Sequence, residues 1–276
     1  MTPMIKTLVF FATYNEAGNI KPLISSLENT APESDILVVD DNSSDGTADI
    51  ILGMNRPNVT LLQRKGKLGL GTAHLLALSY AKEHGYDVII TMDGDLSHDP
   101  AYIPSLLDRL EAGADLVIGS RYMPGGGCDY TGYRLYVSQL ANVAARSLLG
   151  LKLHEFTTSY RAFRVSELKR LNFAALLVGG YSFFLTTMVE ASVRGLKIQE
   201  APIQFRERGY GTSKLPPMEI FRGMANLLRL AAKKATGQLA RSPVAKVSGC
   251  PNCGNTFSFI SNEDVGTCVQ CGFRSK

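Results

Sequence analysis

Five short runs rich in Val, Ile and Leu, spaced by stretches of helical character, constrain this chain more than any other feature. The runs are Thr7–Ala12, Ile36–Asp40, Val59–Gln63, Val88–Met92 and Leu116–Ser120, and helical candidates lie among them near Ile20–Glu28, Gly46–Leu52, Gly71–His84 and Ile103–Glu111. Strands that are apolar along their whole length are buried on both faces, as in a parallel sheet covered by helices on either side. The expected architecture is therefore α/β, a mostly parallel sheet covered by helices. At 276 residues, 45% of them hydrophobic, the chain suffices for one large domain and a small appendage.

In such a sheet, ligands bind outside the carboxyl ends of the strands. The fourth run leads into Thr91-Met92-Asp93-Gly94-Asp95, which puts two carboxylates one residue apart where the chain leaves the sheet. Asp93 and Asp95 can aim oxygens at one divalent cation shared with a substrate's phosphates; an ordinary Asp/Gly turn is the alternative. The second run ends in Asp40-Asp41 at the same edge. Ser44 and Asp45 beyond it read as caps for the next helix. No Gly-x-Gly-x-x-Gly follows the first strand, which argues against a dinucleotide fold of the usual kind. The loop Arg64-Lys65-Gly66-Lys67-Leu68-Gly69-Leu70-Gly71 combines cations and glycines before a helix, as a phosphate-holding loop or an ordinary connection would. The four histidines form no metal cluster, and His98 before Asp99-Pro100 reads as a loop or helix-start residue rather than a catalytic one.

Four of the five cysteines fall in the last 27 residues, as Cys250-Pro-Asn-Cys253 and Cys268-Val-Gln-Cys271, each pair followed by Gly. Two such knuckles can supply four thiolates to a tetrahedral Zn2+. Two disulfides are the alternative, disfavoured in a reducing compartment. The net charge of +4 and pI of about 8.7 suit anionic substrates or an anionic membrane surface and are too small to argue for nucleic acid. No apolar run approaches the roughly 20 residues that span a bilayer, and the N-terminus turns polar too soon for a secretory segment. The expected location is cytoplasmic, peripheral to the cytoplasmic face of a membrane.

Three segments follow: a catalytic domain over 1–217, a basic amphipathic helix and linker over 218–248, and a zinc ribbon over 249–276. In Met218–Ala240, helical spacing puts Ile220, Phe221, Met224, Leu227, Leu228 and Ala231 on one face, and Arg222, Asn226, Arg229 and Lys233 on the other. Such a helix can lie in a headgroup layer, pack on the catalytic domain, or both. The ribbon is short enough to take its stability from zinc, and a protein contact or an inert structural cap is expected of it.

In order along the chain stand Thr13-Tyr14-Asn15-Glu16, Val39-Asp40-Asp41-Asn42-Ser43-Ser44-Asp45-Gly46-Thr47, Met92-Asp93-Gly94-Asp95-Leu96-Ser97-His98 and Gly119-Ser120-Arg121-Tyr122. Over roughly residues 5 to 215 this set resembles the family-2 glycosyltransferases, and among them the dolichol-phosphate mannose synthases and other polyprenyl-phosphate sugar transferases. The resemblance implies a nucleotide-diphospho-sugar transferase fold, Mg2+ or Mn2+ at the Asp-x-Asp pair, and inversion at the sugar carbon. By position it implies that Asp40 contacts the nucleotide, with Tyr14 and Glu16 near base and ribose; Thr13 and, in the cationic loop, Lys67 complete the expected nucleotide-binding set. It implies that Asp93 and Asp95 hold the metal, with Ser97 standing where some relatives have Gln. It implies that Arg121, Arg134 and Ser138 receive the acceptor phosphate, and that Arg206 and Lys214 close over the donor phosphates. The chain departs from the family pattern Asp-x-Thr-Ser-Gly-Phe-Arg at Glu155-Phe156-Thr157-Thr158-Ser159-Tyr160-Arg161.

The implied reaction moves a sugar, mannose or glucose first, from a nucleotide-diphosphate sugar to a polyprenyl or dolichyl phosphate at a membrane surface. Such an acceptor is already ionised and needs no strong base, whereas a hydroxyl acceptor would need one, with Asp129 and Glu155 as candidates. The alternatives are transfer to a non-lipid hydroxyl and a non-catalytic, partner-binding relative. A nucleotidyltransferase would carry a Gly-rich basic signature after the first strand, and Thr13-Tyr14-Asn15-Glu16 is not one. A membrane-anchoring protein is a further partner to consider.

Overall fold

The computed structural model describes residues 5–177, 182–210, 218–241, 246–253, 259–262, 265–272 and 274. The first half alternates as the sequence predicts: β1 (Thr7–Thr13), α1 (Ala17–Thr30), β2 (Asp35–Asp40), α2 (Thr47–Gly53), β3 (Val59–Gln63), α3 (Leu70–Glu83), β4 (Val88–Asp93), α4 (Ile103–Glu111) and β5 (Leu116–Ser120). There follow β6 (Gly127–Cys128), α5 (Tyr133–Leu149), β7 (Arg161–Arg164), α6 (Ser182–Val193), β8 (Ile198–Pro202) and β9 (Gln204–Phe205). The C-terminal part holds α7 (Met218–Ala235), α8 (Gln238–Arg241), β10 (Lys246–Ser248), β11 (Phe259–Asn262) and β12 (Val265–Cys268).

Seven strands form one sheet in the order β3-β2-β1-β4-β7-β5-β8. All neighbours are parallel except β7, which runs antiparallel to both β4 and β5. Alternation along β1 sends Leu8 and Phe10 into a core shared with α3, α5 and α6, and Val9 and Phe11 into a second core under α1 and α4. Both faces are thus buried, which is why the strand runs are apolar throughout.

Chain order reverses between β1 and β4, so the crevice at their carboxyl ends is the switch point where this class of sheet binds ligands. Thr13 and Asp40 end the adjacent strands β1 and β2 there opposite each other, and Asp93 ends β4 on the other side of β1, opposite Ala12. Gly94 passes so close to β1 that a Cβ would lie 3.1 Å from the Ala12 carbonyl oxygen. Leu96, two residues on, holds φ at +67°, a left-handed conformation that a branched apolar residue rarely adopts.

The C-terminal helix is shorter and less simply amphipathic than expected. Gly237, at φ +69°, follows the end of α7 and separates it from α8. Leu227 and Leu230 are buried, whereas Phe221, Met224 and Leu228 face outward, so the apolar stripe is divided between protein and exterior. Asn226, expected on the polar face, donates to the Thr186 hydroxyl of α6. No described helix is long and apolar enough to cross a membrane.

Candidate active site

Two buried networks meet at the switch point. In the first, the Thr13 hydroxyl donates to Asp40 (2.8 Å), and the backbone N–H and hydroxyl of Ser43 donate to the same carboxylate. Asp40 is fully buried and carries these three donors. Glu16 accepts from the Asn19 side chain, and the Lys67 ammonium sits 4.3 Å from the centre of the Tyr14 ring, a cation–π distance. The loop after β3 splits its cations. Lys67 is exposed at the rim, but Arg64 is fully buried and ion-paired with Asp41, so it takes no part in a phosphate cradle. Burial raises the Asp41 carboxyl, and Arg64 opposes that shift without cancelling it. Asp45 accepts from the Thr47 backbone N–H at the start of α2 and also from Ala17 N–H at the start of α1, tying two helices together.

In the second network, the Ser159 hydroxyl donates to Asp93, and the backbone N–H and hydroxyl of Ser97 donate to Asp95. His98 is fully buried, and its Nδ1 accepts the Asp93 backbone N–H at 3.0 Å. Burial depresses its pKa, which suits a neutral ring with Nδ1 unprotonated. His98 lies in the connection just before the helical turn at Pro100, as expected, and serves there as a fixed strut under the acidic turn. Ser97, which stands where some relatives have Gln, donates to Asp95.

The turn suits a divalent cation. Each carboxylate commits one oxygen to a neutral hydroxyl, which orients it without neutralising it; of the second oxygens, Asp93 Oδ2 lies 3.7 Å from His98, and Asp95 Oδ2 is ion-paired with Arg208 at 3.1 Å. Arg208 already brings a positive charge to this spot. It is a contact that sequence reasoning missed, although Arg208 stands in the same late loop as Arg206. Arg206 itself pairs with Asp99 at 2.7 Å and is largely exposed. Lys214 lies outside the described residues.

Beyond β5, Arg121 makes a bidentate pair with Glu155 (2.7 and 2.9 Å) and donates to the Tyr130 hydroxyl at 2.7 Å. Burial would raise the Glu155 carboxyl; Arg121 and the Thr157 donors reverse that and hold it below the usual range. Glu155, a candidate base for a hydroxyl acceptor, is thus locked as a counter-ion. Tyr122 links this pair to α5 by donating to Ser138 at 2.7 Å. Arg134 lies in the first turn of α5. Asp129 accepts from the Gln204 side chain. Two of the departures from the family pattern, Glu for Asp and Ser for Gly, serve the site: Glu155 holds Arg121, and Ser159 holds Asp93.

Arg121 also lines a cleft of about 580 Å³ along α5, together with Tyr122, Met123, Leu135, Arg146 and His154 among others. No carboxylate is among its lining residues. Its walls are cationic at one part and apolar at another, as an amphiphilic anion requires.

At the C-terminal end the four predicted cysteines converge, with their sulfurs all within 4.8 Å of one another. The pairs Cys250–Cys271 and Cys253–Cys268 are each 3.8 Å apart, the edge length of a tetrahedron with metal–sulfur bonds of about 2.3 Å. That separation is far beyond a disulfide's roughly 2 Å. Backbone N–H groups of Asn252 and Cys271 donate to Cys250 and Cys268, which favours thiolates. The donor set fits Zn2+.

The family-2 glycosyl transferase model matches residues 8–171, more than half of the chain. The chain belongs to glycosyl transferase family 2. Among curated family-2 relatives, it is 39% identical over 226 residues to the polyprenol monophosphomannose synthase of Mycolicibacterium smegmatis, covering 80% of this chain and 85% of that protein. It is 37% identical over 234 residues to the undecaprenyl-phosphate mannosyltransferase of Micrococcus luteus, covering 83% and 96%. In fold, this family-2 enzyme is similar to glucosyl-3-phosphoglycerate synthase from Mycobacterium tuberculosis, solved with Mn2+, uridine diphosphate and phosphoglyceric acid. That similarity has a TM-score of 0.62 at 20% identity, over 83% of this chain and 79% of the other.

Proposed function

We propose that this glycosyltransferase moves a sugar, mannose first, from a nucleotide-diphosphate donor to a polyprenyl phosphate, with inversion at the sugar carbon. The observation that carries this reading is the identity of 39% and 37%, over four fifths of the chain, to two curated enzymes named for that kind of transfer. The site supports it. Asp93 and Asp95 would hold Mg2+ or Mn2+, which supplies Lewis-acid neutralisation of the departing diphosphate. Ser159, Ser97 and His98 keep both carboxylates aimed before substrate arrives, so little reorganisation is left to the reaction. Arg208 is exchanged from Asp95 to the donor's phosphates as the site fills, joined by Arg206 and Lys214 of the same loop. Thr13, Tyr14, Glu16, Asp40 and Lys67 form the nucleotide side.

The cleft along α5 receives the acceptor phosphate at Arg121, with Arg134 and Ser138 on the helix beside it. An ionised phosphate is its own nucleophile, which suits a cleft whose lining holds no carboxylate. Outward apolar rows on α5 (Tyr133, Tyr136, Leu140, Val143) and α7 (Phe221, Met224, Leu228) suit an enzyme that works at a lipid surface without crossing it. This division into a catalytic domain, a surface-seeking helix and a ribbon is part of the proposal, as is residence at the cytoplasmic face. A second reading, transfer to a hydroxyl, is favoured by His154, which lines the cleft and pairs with Glu200 at 2.8 Å, an arrangement able to support a base.

The test is transfer of label from GDP-mannose, UDP-glucose and UDP-N-acetylglucosamine in turn to a short polyprenyl phosphate with Mn2+ or Mg2+. Label entering the lipid phase, lost in Asp95→Ala and kept in His154→Ala, is the expected result. Donor turnover without lipid labelling, lost in His154→Ala, would replace it with the hydroxyl reading. No turnover of any donor by folded, metal-supplied protein would leave a partner-binding relative.

A further inference from the structure

The ribbon was expected to touch another protein or to be inert. Instead its second knuckle lies against the nucleotide side of the catalytic domain. Val269, between the zinc ligands Cys268 and Cys271, is fully buried in the same core cluster as Leu37 and Val39 of β2. Its carbonyl accepts from Arg64 Nη1 at 3.0 Å, and the Gln270 side chain donates to the Gln63 carbonyl at 3.2 Å. Gly272 passes so near Leu68 that a Cβ would meet that side chain at 3.2 Å.

Arg64 is the hub of these contacts. Its guanidinium pairs with Asp41, donates to the Thr72 hydroxyl (2.7 Å) and donates to the Gly69 carbonyl (3.0 Å), and its backbone N–H donates to the Asp40 carbonyl (2.8 Å). It thereby joins the end of β2 to the loop that carries Lys67 over Tyr14. Every donor of a buried guanidinium needs a partner, and one of those partners belongs to the ribbon.

We infer that the zinc knuckle is a structural wall of the donor site: through Arg64 and Leu68 it holds the 64–69 loop in its nucleotide-binding shape, so zinc occupancy sets affinity for the donor's nucleotide. Arg64 is a positioning residue in this scheme, because it touches Asp41 and the loop and not the substrate. Loss of zinc unfolds a ribbon too small to stand alone, withdraws the Val269 carbonyl and releases the loop. The catalytic turn at Asp93–Asp95 is held by Ser159, Ser97 and His98, none of which hydrogen-bonds to the described residues of the ribbon, so the donor KM rises while kcat is preserved.

This inference rests on the transferase reading, and the experiment separates the two. Full-length protein is compared as zinc-loaded, as zinc-stripped and returned to excess Mg2+, and as Cys268→Ser/Cys271→Ser. GDP and UDP are titrated by calorimetry with Mg2+, and amide exchange is followed over residues 64–72. The nucleotide that binds the loaded protein is expected to weaken about tenfold without zinc, within the usual range for coupled sites. Exchange over 64–72 should accelerate while that of β4 stays unchanged. Arg64→Lys keeps the charge on Asp41 but cannot reach Thr72, Gly69 and Val269 together. It should weaken the nucleotide with zinc still bound, and zinc removal should then add little. An affinity unchanged within twofold on zinc loss, or a zinc effect undiminished in Arg64→Lys, overturns the inference while leaving the transferase intact. Binding of neither nucleotide to the loaded protein overturns both.

Discussion

Ser159 and Glu155 are two of the residues at which this chain departs from its family pattern, and each is tied to one member of the catalytic set. Ser159→Ala removes a donor from Asp93 without touching the fold's core, so the carboxylate loses its aim but not its charge. The concentration of Mg2+ or Mn2+ giving half-maximal transfer should rise 10- to 100-fold, as for other groups that orient a metal ligand, with unfolding by urea nearly unchanged. Glu155→Gln acts differently, because it leaves Arg121 with its charge uncompensated inside the protein. Breaking a buried pair in this way costs about 3–5 kcal/mol, and the urea midpoint should fall accordingly. The pH sign follows from the depressed Glu155 pKa. Its stabilisation is present above the unfolded carboxyl value of about 4.5 and is lost as pH falls through the lower folded value. Wild type should therefore lose stability below about pH 4.5, and Glu155→Gln should show a smaller loss over that range.

At the scale of elements, α3 carries a second pH response. His74 lies fully buried among Phe10, Phe183 and Phe184, its Nδ1 against the Leu70 carbonyl and its Nε2 without a hydrogen-bond partner among the described residues. Burial lowers its pKa to about 3. Below about pH 6.5 the unfolded chain takes up a proton that the folded chain refuses, so stability falls as pH falls. Between pH 7 and 4.5 this group contributes a loss of about 2–3 kcal/mol at 1.36 kcal/mol per unit. His74→Leu should flatten the pH dependence of unfolding over that window; an unchanged slope would mean that the ring is hydrated.

The elements also show what a sequence can and cannot reveal. The five early strands were legible because burial on both faces writes an unbroken apolar run. β7 was not, since four residues beginning and ending in Arg look polar, yet Arg161 is wholly buried, bracing the Thr158 and Phe156 carbonyls. The acidic turn was legible as a pair of carboxylates at a strand end. The groups that aim it, Ser159, His98 and Arg208, come from distant or bland segments that only the fold brings together. The loop at Arg64 stayed open to two readings for the opposite reason: beside two lysines and three glycines Arg64 fits either a phosphate holder or an ordinary connection, and only tertiary packing shows that it is buried.

For the molecule as a whole, the outward rows on α5 and α7 pose the question of where it works. Phe221 and Leu228 are 71% and 55% exposed, and on the neighbouring α5 Tyr136 and Leu140 are 70% and 67% exposed. Helices that pack on each other through one face and keep large apolar groups on the other fit an interface with lipid, and Arg222 and Arg229 on α7 add attraction to anionic headgroups. Phe221→Asp/Leu228→Asp removes apolar surface and adds two negative charges at mostly exposed positions. The change should leave urea unfolding within about 0.5 kcal/mol of wild type, as surface substitutions do, and leave nucleotide titration unaltered. Co-flotation with vesicles containing phosphatidylglycerol should fall sharply, and transfer to a long polyprenyl phosphate in vesicles should fall with it. Transfer to a short, water-soluble polyprenyl phosphate should persist, because that acceptor needs the cleft at Arg121 and not the surface. Equal loss with both acceptors would instead make these side chains part of the cleft, and flotation equal to wild type would remove the lipid interface from α7.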